Sequence, residues 1–370
     1  MRYRRPVSSS KPVAVLTSGG DAPGMNAAVR VVTKVVASRG HHVLGVEGGY
    51  RGLLAGKFRP LTHEASEGEG LLPDADIDFL GSIGGTVLGS SREPRFLTAE
   101  GRAPAVEQLQ QCSGLIVIGG NGSLAGAHAL AQESDVPVIG IPASIDNDVG
   151  CTGSAIGVDS ALNTIVASCD RISDTARAHH RAFVVEVMGR DCGYLAMAGG
   201  IAAGADAVLF AEQGRSEDEI VASVEKAIRR AFRRERGKQR VLIIKAEGVK
   251  IPCTKLVRLV GARLEDLTDV DVRATVLGHL VRGGNPTFAD RMIAGRLGLA
   301  AVDALASGHT DQMVAWMAPS GAGHPTSDPM VTRFPLAQVL AESRALVDGT
   351  SPITQRRVKM MEKIEGVLGL

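Results

Sequence analysis

Gly114-Leu115-Ile116-Val117-Ile118 is apolar at nearly every position, and a strand of that kind needs cover on both faces, which parallel sheets flanked by helices provide. Similar short runs recur at Val13–Leu16, Val43–Val46, Val136–Ile141, Phe183–Val187, Ala207–Phe210 and Val241–Ile244. Between them apolar residues return at helical spacing, as at Met25, Val29, Val32 and Val35/Val36. They do so again at Val158, Leu162, Ile165, Val166, Cys169 and Ile172. Strands alternating with helices predict an α/β fold. At 370 residues the chain exceeds one comfortable core, so two domains are expected.

In such sheets ligands lie beyond the carboxyl ends of strands, and the residues there set the chemistry. Pro142-Ala143-Ser144-Ile145-Asp146-Asn147-Asp148 follows one strand and carries a hydroxyl and two carboxylates. Close carboxylates can divide labour, one acting as a base while the other holds a cation, although Asp and Asn are also ordinary residues of turns. Thr17–Asn26 is a glycine turn between a strand and a helix, the geometry that aims backbone N–H groups at a phosphate. It contains neither GK[ST] nor GxGxxG, which argues against a Walker loop and against a dinucleotide oxidoreductase. Gly84–Arg92 is a second glycine-rich turn, ending in a cation, and Gly119–Ser123 is a third. The stretch from Leu54 to Ile83 is polar and reads as irregular and exposed.

Forty-one basic and forty acidic residues leave a formal net charge of +1, so no bulk field draws nucleic acid or membrane. The basic run Lys226–Arg240 holds one aromatic residue and no stacking platform; it reads as a solvated helix face. Five scattered cysteines form no CxxC pair, which fits a reducing compartment better than a disulfide framework. No apolar run approaches the roughly 18 residues of a membrane span. The basic start Met1–Arg5 leads into serines rather than an apolar core. A cytoplasmic protein is the expectation. His179 and His180 are adjacent rather than spaced as a metal pair, and read as polar residues at the end of an element.

From about Val13 to about Leu305 the chain resembles the 6-phosphofructokinases of the ATP-dependent type. The likeness rests on TSGGDAPGMNAAVR at 17–30, LGSSR at 88–92, GGNGS at 119–123 and PASIDND at 142–148. HHRAFVVEVMGRDCGYLA at 179–196 and RATVLGHLVRGGNPTFADR at 273–291 complete it. The resemblance implies two doubly wound, Rossmann-like α/β domains with the active site in the cleft between them. Residues 1–157 with 282–340 would bind nucleotide, and 158–281 with 341–370 would bind fructose 6-phosphate. It implies phosphoryl transfer from ATP, with Mg²⁺, to the sugar 1-hydroxyl. Gly20, Tyr50, Arg92, Gly119, Gly120, Asn121, Gly122 and Ser123 would hold ATP. Asp146 would be the base, with Ser144 and Arg190 among the catalytic groups. Ser144, Asp146, Met188, Gly189, Arg190, Glu247, His279 and Arg282 would meet the sugar phosphate. Arg181 and Arg273 would reach it from a neighbouring subunit of a homotetramer. Asn121 and Asp148 would face the metal. Arg30, Lys34, Glu212, Arg236 and Lys238 match effector positions. The family usually has threonine where Ser144 stands, its bacterial members have aspartate where Asn121 stands, and Ser173 replaces a usual arginine. Pyrophosphate-dependent relatives carry aspartate at the position of Gly122 and lysine at that of Ala143, so the small residues here favour ATP. The substitution at Asn121 also raises a non-catalytic sugar-phosphate sensor as a rival, against which Asp146 and the arginine set speak.

Overall fold

The computed structural model describes residues 11–65, 70–233, 238–267, 270–318 and 322–368. The chain divides into two compact units, Met1–Ser160 with Arg282–Arg344, and Ala161–Val281 with Ala345–Leu370. The strands are β1 (Val13–Ser18), β2 (Val43–Val46), β3 (Phe58–Pro60), β4 (Thr62–Glu64), β5 (Leu71–Pro73), β6 (Gly114–Gly119) and β7 (Val138–Pro142). They continue with β8 (Arg181–Val187), β9 (Ala207–Leu209), β10 (Val241–Ala246), β11 (Asp271–Val276), β12 (Gln312–Trp316), β13 (His324–Pro325) and β14 (Val331–Pro335). The helices are α1 (Met25–Ser38), α2 (Gly49–Leu54), α3 (Ile77–Leu80), α4 (Ala99–Leu109), α5 (Asn121–Glu133) and α6 (Val158–His179). After them come α7 (Tyr194–Ala202), α8 (Glu217–Ala231), α9 (Cys253–Arg263), α10 (Phe288–Ala306), α11 (Leu336–Val347) and α12 (Pro352–Leu368). None of the described helices is long and apolar enough to cross a membrane.

The first unit is built on an eight-stranded sheet ordered β13-β14-β12-β7-β6-β1-β2-β3. Its centre is parallel, and every residue of β1, β6, β7 and β12 is buried, which is why those runs are largely apolar, with Thr17, Ser18 and Gln312 the polar exceptions at strand ends. From β1 the chain passes to β2 on one side and later to β6 on the other, so a topological switch point lies between β1 and β6. Ser18 pairs with Gly119 and Gly119 with Pro142, so three strands end on one rung. A Cβ on Gly119 would lie 2.5 Å from Ser18 O and from Ser123 Oγ, so only glycine permits this approach. Helix α1 buries Met25, Val29, Val32 and Val36, the face its spacing predicts. Thr287 caps α10, and the buried Asp290 in its first turn accepts from the N–H groups of Gly157 and Ser160.

The reading of Leu54–Ile83 as irregular is corrected here. It contains β3, antiparallel to β2, the β4–β5 hairpin and α3, and it buries Leu61, Ile77 and Leu80. Its elements are three or four residues long, too short to show a period in sequence.

The second unit carries the parallel sheet β11-β8-β10-β9. Ser216 and Glu219 form a capping box at the start of α8, which buries Ile220, Val221, Val224 and Ile228. On its other face Arg229 forks onto Asp266 and reaches Glu225, so this part of the basic run is a solvated, paired surface. Helix α12 is held by a fork from Arg215 to Glu365 and by Arg357 over the Tyr194 ring.

Candidate active site

The strand ends of the first unit open into a cleft of about 740 Å³. Gly20, Tyr50, Arg92, Gly120, Asn121, Gly122, Ser123, Ser144, Asp146, Asp148 and Arg282 all line it, and Gly119 lies beneath as the last residue of β6. Residues far apart in sequence meet here: the ends of β1, β6 and β7 bring most of them, and α2, the turn before Pro94 and the turn 278–282 add Tyr50, Arg92 and Arg282. No side chain caps α5, so its first-turn N–H groups and positive end face the cleft. Ser123 Oγ is buried without a hydrogen-bond partner among the described residues. Arg282 donates to Asp21 O at 3.2 Å and lies over Gly20, where a Cβ would sit 2.6 Å from Nη1.

Beyond the charged floor the walls turn apolar. Tyr50 is buried, donates to Ser123 O and stacks on Phe96 with ring centroids 3.9 Å apart. Burial pushes the Tyr50 hydroxyl far above its ordinary pKa, so it serves as a neutral donor. Leu97, Ala125, Gly126 and Ala129 continue this wall. Phe96 escaped the sequence reading; aromatics are 3% of the chain, so one placed four residues after Arg92 was the available signal. Glu93, also missed, accepts a fork from Arg95, which with Arg51 holds its carboxyl down near 2.

Asn147 organises the carboxylate turn. It adopts a left-handed conformation (φ 49°) that asparagine tolerates, accepts from Ala155 N–H and donates to Gly153 O. The turn reading thus holds for Asn147, the structural member of the run. Asp148 Oδ2 accepts from Asn121 Nδ2 at 2.9 Å, and its Oδ1 from Ser144 Oγ at 3.1 Å. Asn121 Oδ1 is buried and accepts no hydrogen bond among the described residues.

In the second unit the loops after adjacent strands β8 and β10 bring Met188, Gly189, Arg190 and Glu247 together. Arg190 lies 3.6 Å from Glu247, and Gly248 N–H donates to Gly189 O. Gly189 has φ 119°, and a Cβ on Gly248 would strike Arg190 O, so both glycines are needed for the loops to meet. His279 is exposed in the turn after β11. Arg181 and Arg273 form a separate pair on Asp271, at 3.2 and 2.8 Å.

The effector candidates are already engaged. Arg30 and Lys34, one turn apart on α1, both pair with Asp78 of α3. Glu212 accepts from Gly193 N–H, Lys238 pairs with Asp206, and Arg236 lies outside the described residues. No cluster of three or more metal-ligating His, Cys, Asp or Glu residues occurs among the described residues.

The family model Phosphofructokinase matches residues 12–305. The ATP-dependent 6-phosphofructokinase of Thermotoga petrophila is 44% identical over 307 residues, 82% of this chain and 89% of that protein. The crystal structure of Pichia pastoris phosphofructokinase in the T-state superposes with a TM-score of 0.81 at 31% identity. It covers 97% of this chain, whereas this chain spans only 39% of the yeast one. A pyrophosphate-dependent phosphofructokinase from Marinobacter aquaeolei shares the fold, with a TM-score of 0.70 at 21% identity over 89% of this chain and 83% of its own.

Proposed function

The chain belongs to the phosphofructokinase family, and from that membership we propose that it transfers the terminal phosphoryl group of ATP to the 1-hydroxyl of fructose 6-phosphate, a step of glycolysis. The observation that carries this reading is the grouping of Asp146 with phosphate-binding turns in one cleft that also offers an apolar wall. Phosphoryl transfer asks for positioning and charge neutralisation more than covalent chemistry. The α5 N-terminus, Arg92 and Arg282 supply positive potential, and the Tyr50–Phe96 wall gives room for a nucleoside. Asp146 takes the hydroxyl proton. Asp148, held by Ser144 and Asn121, stays fixed beside it. Met188, Gly189, Arg190, Glu247 and His279 are the sugar-phosphate residues of the second unit.

ATP rather than pyrophosphate is favoured because a Cβ on Gly122 would meet open space, so the residue leaves the cleft unobstructed where an aspartate would intrude. A coupled assay on fructose 6-phosphate checks this: turnover with ATP and little with pyrophosphate is expected. Equal or preferred use of pyrophosphate overturns it.

Mg²⁺ fits the residues present, because the Asp148 carboxylate and the unsatisfied Asn121 oxygen are hard donors of the kind it takes. It would neutralise phosphate charge when bound. Asn121 brings no charge of its own, so Asn121→Asp is expected to lower the free Mg²⁺ giving half-maximal activity by roughly three- to tenfold, the size of an interaction near 1 kcal/mol. The variant would set two carboxylates where Nδ2 now donates to Asp148, which makes its activity more dependent on the ion. Titrating activity against free Mg²⁺ at saturating ATP decides it; an unchanged midpoint removes Asn121 from the metal site.

Arg30, Lys34, Glu212, Arg236 and Lys238 are proposed as effector residues, with Asp78 as a carboxylate that an anion must displace from Arg30 and Lys34. The proposal extends to a cytoplasmic homotetramer. Strand β11 is an open sheet edge flanked by Val276 and Leu280, 58% and 59% exposed, a surface that a second copy would cover.

A further inference from the structure

Lys245 is among the largest fully buried side chains of the described residues, 1% exposed, in the otherwise apolar strand β10. Its Nζ donates to Glu186 Oε2 on β8 at 2.8 Å and to Ala246 O at 3.2 Å. The proposed phosphoryl transfer uses neither charge. Nor is stability a good reason for them, because apolar residues of similar size replace a buried ion pair at little or no loss. What such a pair does supply is a penalty for every other register. Lys245 stands directly opposite Glu186 in the β10–β8 ladder, and Val276 of β11 stands opposite the same Glu186. A shift by one residue would send the two side chains to opposite faces, and a shift by two would leave the buried Lys245 charge without its partly buried partner.

This rung is the last but one before the sugar-side loops. Glu247 N–H donates to Val187 O, and Leu277 N–H, at the entry to the His279 turn, donates to Glu186 O, both at 2.9 Å. Glu247 then meets Arg190 across the ends of β10 and β8. Cys253, at the start of α9, lies against the pair; burial and then the Glu186 charge push its thiol to about 12, so it is a neutral neighbour and no competing anion.

We infer that the buried Lys245–Glu186 pair is a positioning element that locks the ends of β8, β10 and β11 in register, and through them sets Arg190, Glu247 and His279 for the sugar phosphate. The catalytic consequence rests on the kinase reading above; the positioning itself does not.

Two variants and two readouts test it in the full-length protein. Lys245→Met strands the Glu186 charge, whereas Lys245→Met/Glu186→Leu removes both charges and keeps an apolar filling. Both should raise KM for fructose 6-phosphate by about tenfold or more, while KM for ATP moves less than about twofold, the scale of one lost charge-assisted contact. The double variant should do so with a melting temperature near that of wild type. Hydrogen exchange should quicken in peptides holding Glu247 and Leu277 and stay unchanged in α8. A double variant with wild-type KM for the sugar phosphate and unaltered exchange at these amides makes the pair merely structural and overturns the inference. If wild type proves inactive on fructose 6-phosphate but the exchange pattern appears, the kinase reading falls and the positioning role stands.

Discussion

Asp146→Asn is expected to lower kcat by roughly 10²–10⁴, the usual contribution of a general base. The substitution keeps the shape of the side chain at the end of β7 and removes only its charge and its ability to accept a proton. Asp146 lies in the cleft among the three glycine turns proposed to hold phosphate, where a carboxylate would repel it, so its presence there calls for a chemical reason. Two effects then oppose each other in the variant. Losing the base slows transfer, and losing the repulsion strengthens ATP binding. The first dominates kcat because proton removal acts on the transition state; the second appears only in KM for ATP, which should stay level or fall. KM for fructose 6-phosphate should change far less than kcat. Steady-state kinetics in both substrates read all three quantities. A variant keeping more than about a tenth of wild-type kcat lies outside the range for a general base and returns Asp146 to the role of a turn residue.

The parts of this molecule that could be read from sequence are those whose causes are local or periodic. β1, β6 and β7 were legible because burial on both faces leaves no polar alternation. Their turns were legible because backbone geometry demands glycine at 119 and suits asparagine at 147, whose φ is positive. What escaped depends on partners far along the chain. Phe96 becomes a cleft wall only by stacking on Tyr50, 46 positions earlier. Asp78 acquires meaning by meeting Arg30 and Lys34 across 48 and 44 residues. Lys245 reads as an ordinary charge near a strand end, and only the ladder shows Glu186 beside it. Short pairings in 54–83 likewise leave no period, since β3 is defined by β2 and not by its own pattern.

The second large effect concerns Arg273. Arg181 and Asp271 face each other across β8 and β11, and Arg273 follows on the same open strand, so both guanidinium groups converge on one carboxylate. That arrangement sets two partly exposed cations on a single carboxylate at an open sheet edge. Removing either is expected to cost about 1.5–3 kcal/mol of sugar-phosphate binding, the range for hydrogen bonds to charged groups. That corresponds to roughly 10- to 150-fold in affinity. Whether the arginines serve their own subunit's site or a neighbour's is separable by mixing. Arg273→Ala subunits keep Asp146, and Asp146→Asn subunits keep Arg273. If the site is shared, a mixed interface rebuilds one intact site, and random pairing in equal amounts yields about a quarter of all interface sites in working form. Measured at fructose 6-phosphate well below the KM of Arg273→Ala, the mixture should rise far above the sum of its parents, because neither parent contributes appreciably there. Native mass spectrometry establishes that hybrids have formed. Hybrids that formed without any gain in activity would mean that Arg273 acts within its own chain, and the open edge of β11 would then need a different explanation from a shared site.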